Sequence, residues 1–275
     1  MGFFLVIIGV LGWAFSYLYD DPIILYGAVI FSFIYVFIQY FVADKLALAV
    51  NGAHEVTKRQ EPRLYRTVEN LSIATGMPMP RVYVMEDQAL NAFATGRDPN
   101  HAVVCATRGL LNILDDTELE AVMAHELGHV KNYDIRLMMI VFGLVSAVGI
   151  IADILMRMMW FSDNRDRDRS PVLMLLGLVA VIVAPIVAVV VQMAVSRQRE
   201  YLADGTGVLT TRYPEGLISA LQKIGSAGSA TRRQNTATAH LFFANPLRGG
   251  FSKWFSTHPP ISDRVKRLQE MGTKL

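Results

Sequence analysis

The sequence predicts an α-helical membrane protein with four transmembrane helices and a small α+β domain split by a transmembrane hairpin. Three observations carry this prediction. The chain is 52% hydrophobic and only 18% charged over 275 residues, which departs from the balance of soluble domains. Its apolar residues gather into four runs near the roughly 20 residues a helix needs to cross a bilayer. Two polar blocks follow the second and fourth runs, and the first alternates helical and strand periodicity.

Gly2 to Tyr19 carries no charge, nor does Pro22 to Ala43. Leu137 to Ala152 is uncharged and stays largely apolar through Trp160, and Pro171 to Ser196 is the longest clean run. Buried core helices of a soluble enzyme are the alternative, but uncharged runs beyond 18 residues read as membrane spans. The first run is read as a retained helix rather than a signal peptide. It lacks a basic start, and Asp20-Asp21-Pro22 stands where small residues would mark cleavage. Asp153 and Arg157 in the third run sit four apart and read as a pair near the membrane edge, with Trp160 as an aromatic anchor.

Each hairpin returns the chain to the side it left, so residues 44–136 and 197–275 are expected on one face of the membrane. The domain organisation follows: hairpin 1–43, first domain part 44–136, hairpin 137–196, second domain part 197–275. Lys45, Lys58, Arg59, Lys131, Arg136, Arg197 and Arg199 flank the polar blocks, which the positive-inside rule places in the cytoplasm. Arg165, Arg167 and Arg169 in the second connection vote the other way. A net charge of +2 gives no reason to expect nucleic acid as a partner. The single cysteine, Cys105, cannot form an intramolecular disulfide and reads as a small apolar residue of a buried strand.

The first polar block carries the elements of an α/β module. "EPRLYRTVENLSIATG" reads as a helix, with Leu64, Val68 and Leu71 on one face, Pro62 near its start and Gly76 past its end. "RVYVME", "NAFATG" and "AVVCAT" read as short strands. "DDTELEAVMAHELGHVKNYD" opens with Thr117-x-x-Glu120, a capping-box spacing, and places His125, Glu126 and His129 well inside a helix. Residues four apart stand one above the other, so His125 and His129 can present two imidazole nitrogens to one tetrahedral ion, preferably zinc. Glu126 projects about 100° around the axis from His125, where it can act as general base without ligating the metal. Gly128 suits a close crossing by a neighbouring element. Two surface histidines on an amphipathic helix remain the alternative until a third ligand is found.

That ligand is expected in "SRQREYLADGTG", just past the fourth run. Glu200 can complete a His2Glu set for one zinc ion per chain, leaving a fourth position open. Asp204, one turn on, can accept the spare N–H of a ligating histidine and fix its tautomer.

"HELGH", "SRQREYLAD", the upstream "NAFATG" and the late "STHPPISDRVKRL" together resemble the HtpX family of bacterial membrane zinc metalloproteases, relatives of the CAAX prenyl proteases. The resemblance runs from the first hairpin to the C-terminus. It implies a zincin-like (gluzincin) protease domain in the bacterial inner membrane. The expected activity is cleavage of misfolded or damaged membrane proteins on the cytoplasmic side, as protein quality control under stress. His125, His129 and Glu200 would be the zinc ligands and Glu126 the general base and acid. Asp204 would support His125. Asn91 would lie on an edge strand that holds substrate backbone, and His258 would help stabilise the oxyanion. On chemistry alone, "NAFATG" is also a plain buried strand, and His258 also ends a loop before two prolines.

Residues 227–256 are long for a connection without periodicity, and Phe242, Phe243, Trp254 and Phe255 imply packing against protein or bilayer. They read as a cover over the cleft. Two other functions stay open: a prenyl-protein endopeptidase, and a catalytically silent zinc-binding membrane scaffold. Structural zinc sites usually have four protein ligands and are rich in cysteine, which the present pattern is not.

Overall fold

The computed structural model describes residues 2–146, 196–227, 230–233, 237–244, 246 and 259–272. The third apolar run beyond 146 and the fourth up to 195 lie outside the described residues, as do Asp153, Arg157, Trp160, Trp254, Phe255 and His258. The described chain divides into two compact units, one with residues 2–43 and 140–146, the other with 44–139 and those from 196 onward.

The first unit contains helix α1 (Gly2–Tyr19) and most of α2 (Pro22–Asn51). The Ile23 amide donates to the Asp21 carboxylate at 2.9 Å, so the acidic turn starts α2. Among the described residues, α2 is the one helix long and apolar enough to cross a membrane. Its side chains Ile23, Tyr26 and Phe37 face outward, where hydrocarbon rather than protein would cover them.

The second unit is built on a four-stranded sheet of β1 (Ala53–Glu55), β2 (Arg81–Met85), β3 (Ala92–Thr95) and β4 (Val103–Thr107), in the order β1-β2-β4-β3. Strand β2 runs parallel to β4, and the outer pairs are antiparallel. Every residue of β4 is buried, Cys105 included, which explains its unbroken run of small and apolar side chains. Strand β1 has too few residues to show a period, and the sequence reading does not contain it. Helix α3 (Pro62–Thr75) buries Leu64, Val68 and Leu71 and ends on Gly76 in the left-handed conformation.

After the short α4 (Arg108–Ile113), helix α5 (Asp116–Lys131) runs through the centre of the unit. Its cap differs from the sequence expectation. Asp115 accepts from the Glu118 amide at 2.9 Å, and Glu118 accepts from the Asp115 amide at 2.8 Å. Aspartate is the better cap, and Thr117 instead donates to Asp115. Glu118 is then held by Ser219 and Lys223 of the helix over Pro214–Ala227.

Helix α6 covers 134–146, α7 is Arg197–Thr211, α8 is Pro214–Ala227 and α9 is Ile261–Gly272. Helices α5 and α7 cross at glycines. A Cβ on Gly128 would meet the Ala203 backbone at 3.3 Å, and one on Gly207 would meet the His125 amide at 3.1 Å. Backbone fixed in a helix has little room to yield. Gly207→Val is therefore expected to destabilise the unit by about 1–3 kcal/mol through overpacking, of which valine's better propensity recovers less than about 1 kcal/mol. A thermal melt of the full chain in detergent, compared with wild type, measures the difference.

Candidate metal centre

Helix α5 carries His125 and His129 one turn apart on the side facing α7, while α7 carries Glu200 and Asp204, also one turn apart. All four are buried. The His125 and His129 Nε2 atoms face each other at 3.1 Å. Glu200 brings Oε2 to 3.8 Å from His125 Nε2 and Oε1 to 3.5 Å from His129 Nε2. One ligand atom from each of the three lies within 4.8 Å of the others.

These distances suit a cation. Two nitrogens on one tetrahedral zinc stand about 3.3 Å apart, given Zn–N bonds of about 2.0–2.1 Å. The outer nitrogens are committed: His125 Nδ1 donates to Asp204 Oδ1 at 2.9 Å, and His129 Nδ1 donates to Asp134 Oδ2 at 3.0 Å. Both Nε2 lone pairs therefore point into the same small space. Two lone pairs and a carboxylate at this spacing repel unless a cation or a proton lies between them.

Each supporting carboxylate has its own guanidinium. Arg264 of α9 donates to both oxygens of Asp204, at 2.6 and 3.0 Å, and lies 3.7 Å from Glu200. Arg199 of α7 donates to Asp134. The fork geometry of arginine fixes the carboxylates, which in turn fix the rings.

The proton affinities follow. Burial opposes charge on His129, but the Asp134 hydrogen bond and the charges of Glu200 and Glu126 override it and lift its pKa to about 9. Burial pulls His125 down to about 4 despite Asp204. A protonated His129 can thus donate to a neutral His125. Burial resists ionisation of Asp204 as well, yet Arg264 and His125 hold it at about 2. Glu126 is buried and is pushed up to about 7, mainly by burial and also by Glu200; His129 and the Ala94 backbone of β3 pull the other way.

Of the residues picked from the sequence, the structure brings His125, Glu126, His129, Glu200 and Asp204 together. Asn91 lies immediately before edge strand β3, fully buried, and its amide donates to Ala244 O at 2.7 Å and accepts from Ala244 N at 3.1 Å. His258 is outside the described residues. The sequence reading missed Asp134, Arg199 and Arg264. A search for the carboxylate that the second histidine needs would have found Asp134, five residues on. Arg264 gave no such signal, because nothing in "ISDRVKRL" separates a buried arginine from its exposed neighbours.

The family described as Peptidase family M48 matches residues 58–272. A "Protease HtpX homolog" of Tropheryma whipplei (strain Twist) is 56% identical over 241 residues, covering 87% of this chain and 83% of its own. One of Dictyoglomus thermophilum is 46% identical over 253 residues, covering 90% and 83%. One of Streptococcus pneumoniae is 42% identical over 280 residues, covering 98% and 94%. Among solved structures, that of S. mikatae Ste24p is similar with a TM-score of 0.56 at 19% identity. The likeness covers 95% of this chain but 62% of that one, and it shows a shared fold.

Because His129 titrates near 9 and Glu126 near 7, metal uptake at about pH 8 should release about one proton per site. Apparent metal affinity should rise about tenfold per pH unit up to that point. The metal-free protein should respond with the opposite sign. The raised pKa of His129 stabilises it fully below the ordinary histidine value of about 6.5, and that contribution fades as pH rises through about 9. Calorimetric titration in buffers of different ionisation enthalpy counts the protons. A pH-independent affinity would mean that no proton sits between the rings.

Proposed function

The chain belongs to peptidase family M48 and is a metalloprotease, and we propose that it is a zinc endopeptidase of the bacterial inner membrane. Its proposed substrates are misfolded or damaged membrane proteins, cut on the cytoplasmic side. The observation that carries this reading is the buried pair of opposed imidazoles beside Glu200, with Glu126 next to them on the same helix. In this reading α1 and α2 form the first of two transmembrane hairpins, and the charge bias of the flanking residues sets the orientation.

His125, His129 and Glu200 would hold the zinc. Bound there, zinc supplies Lewis acidity and makes water a nucleophile near neutral pH. Glu126, with its pKa lifted to about 7, is matched to taking a proton from the attacking water and returning it to the leaving amine. The hydroxyl joins the acyl carbon, the C–N bond breaks, and the amine leaves neutral. Asp204 and Asp134 keep the two rings in the tautomer that offers Nε2 inward. The β3 edge is the place for an extended substrate, beside Asn91. The oxyanion role of His258 rests on the family resemblance.

Glu126→Gln should keep one zinc per chain and lose roughly 10²–10⁴-fold in cleavage rate, whereas Glu200→Ala should lose the metal. Self-cleavage of detergent-purified protein, held in chelator and then given zinc, reads the first effect, and elemental analysis reads both. Normal turnover by pure Glu126→Gln protein would overturn the assignment.

A further inference from the structure

The edge of β3 already has an occupant. Phe242 lies opposite Phe93 as an antiparallel β-bridge, and the Phe243 amide donates to Ala92 O at 2.7 Å. Asn91 clamps both backbone groups of Ala244. The side chains follow the strand. The Phe242 ring packs on Phe93 at 5.0 Å, and the Phe243 ring stands edge-on to His125 at 4.9 Å, beneath the Arg264 guanidinium at 4.7 Å. Both phenylalanines are buried. The segment is pinned on its approach as well: Arg232 N donates to Asp87, Thr238 to Asn51, and His240 Nε2 to Met138 O.

We propose that Phe242–Ala244 is a built-in substrate mimic. It occupies the strand-accepting edge and lays an aromatic ring against His125 and Arg264, and an extended peptide with an aromatic side chain must displace it to reach the centre. The inference rests on the reading of β3 as the substrate edge. Three features support it. The segment docks on the edge in antiparallel register through a main-chain hydrogen bond, Phe243 N to Ala92 O, as an added strand does. Its second aromatic ring touches a residue of the metal centre. Its anchors on β3 and Asn91 are backbone hydrogen bonds and ring contacts, the kinds of contact an incoming strand with an aromatic side chain also makes. A site blocked most of the time binds its ligand more weakly by the fraction of time it is open. A segment open a tenth of the time thus costs about tenfold in apparent affinity.

The test uses the full chain in detergent, loaded with zinc and carrying Glu126→Gln so that bound peptide stays whole. Phe93→Cys and Phe242→Cys place two thiols across an antiparallel pair, a spacing a disulfide can bridge. Cys105→Ala removes the competing thiol opposite Phe93. The probe is a fluorescein-labelled, largely apolar extended peptide with a central phenylalanine, followed by anisotropy. The oxidised protein is expected to bind it at least about tenfold more weakly than the same protein after reduction. Phe242→Ala alone is expected to bind it more tightly than its parent, and this variant decides the matter if the double cysteine protein does not fold. Equal affinity in both redox states, or no gain in Phe242→Ala, would overturn the proposal. Cleavage of the same peptide by protein with Glu126 intact is read separately. A peptide that binds on opening but is never cut would leave the mimic standing and remove the catalytic reading of the site.

Discussion

The close crossing of α5 and α7 is the constraint on which the centre depends. Neither helix holds a complete ligand set, and side chains as short as Glu200 and Asp204 meet the α5 imidazoles only where the two backbones nearly touch. Gly128 and Gly207 make that approach possible from opposite sides, each where a methyl group would press on the partner's backbone. The cost is helix propensity, about 1 kcal/mol for each glycine. The surrounding packing covers it: α5 is buried on almost every side from Leu119 to Val130, as only a central helix can be.

Such a crossing puts an unusual density of ionisable groups out of water. His125, Glu126, His129, Asp134, Glu200, Asp204 and Arg264 are all buried within one unit. Burying an unpaired charge costs several kcal/mol, so a set like this persists only as a connected chain. The connections are visible: guanidinium to carboxylate to imidazole on each side, with the two imidazoles meeting in the middle. Replacing such a network with apolar side chains commonly stabilises a protein, so its presence reflects chemistry rather than fold stability. The inward-facing nitrogens are the part of the network that needs a shared positive charge, the proton on His129 or a divalent cation in its place.

The parts legible in the sequence were those with short-range patterns. The helix over Pro62–Thr75 showed its apolar stripe, its proline and its terminal glycine, and the strands of "RVYVME", "NAFATG" and "AVVCAT" showed theirs. His125, Glu126 and His129 stood out because helical spacing is local. The cap of α5 was misplaced by two residues because Asp115 and Thr117 both satisfy the cap rule, and only geometry chooses between them. Strand β1 was invisible because three residues carry no period. Arg264 and the seating of Phe242–Ala244 on β3 arise from contacts between distant parts of the chain; the aromatic pair marks a segment that packs on something, but neither neighbourhood shows on what.

The pairing of Asp204 with Arg264 also orders events in time. A nascent chain emerges from its N-terminus, so α5 and then α7 exist before α9 has been made. Before α9 is made, docking α7 on α5 would bury the Asp204 carboxylate with His125 but without its guanidinium, so the arrival of α9 lowers the cost of closing the crossing. The cohesion of the centre thus draws on a helix that supplies none of its three inward-facing ligand atoms.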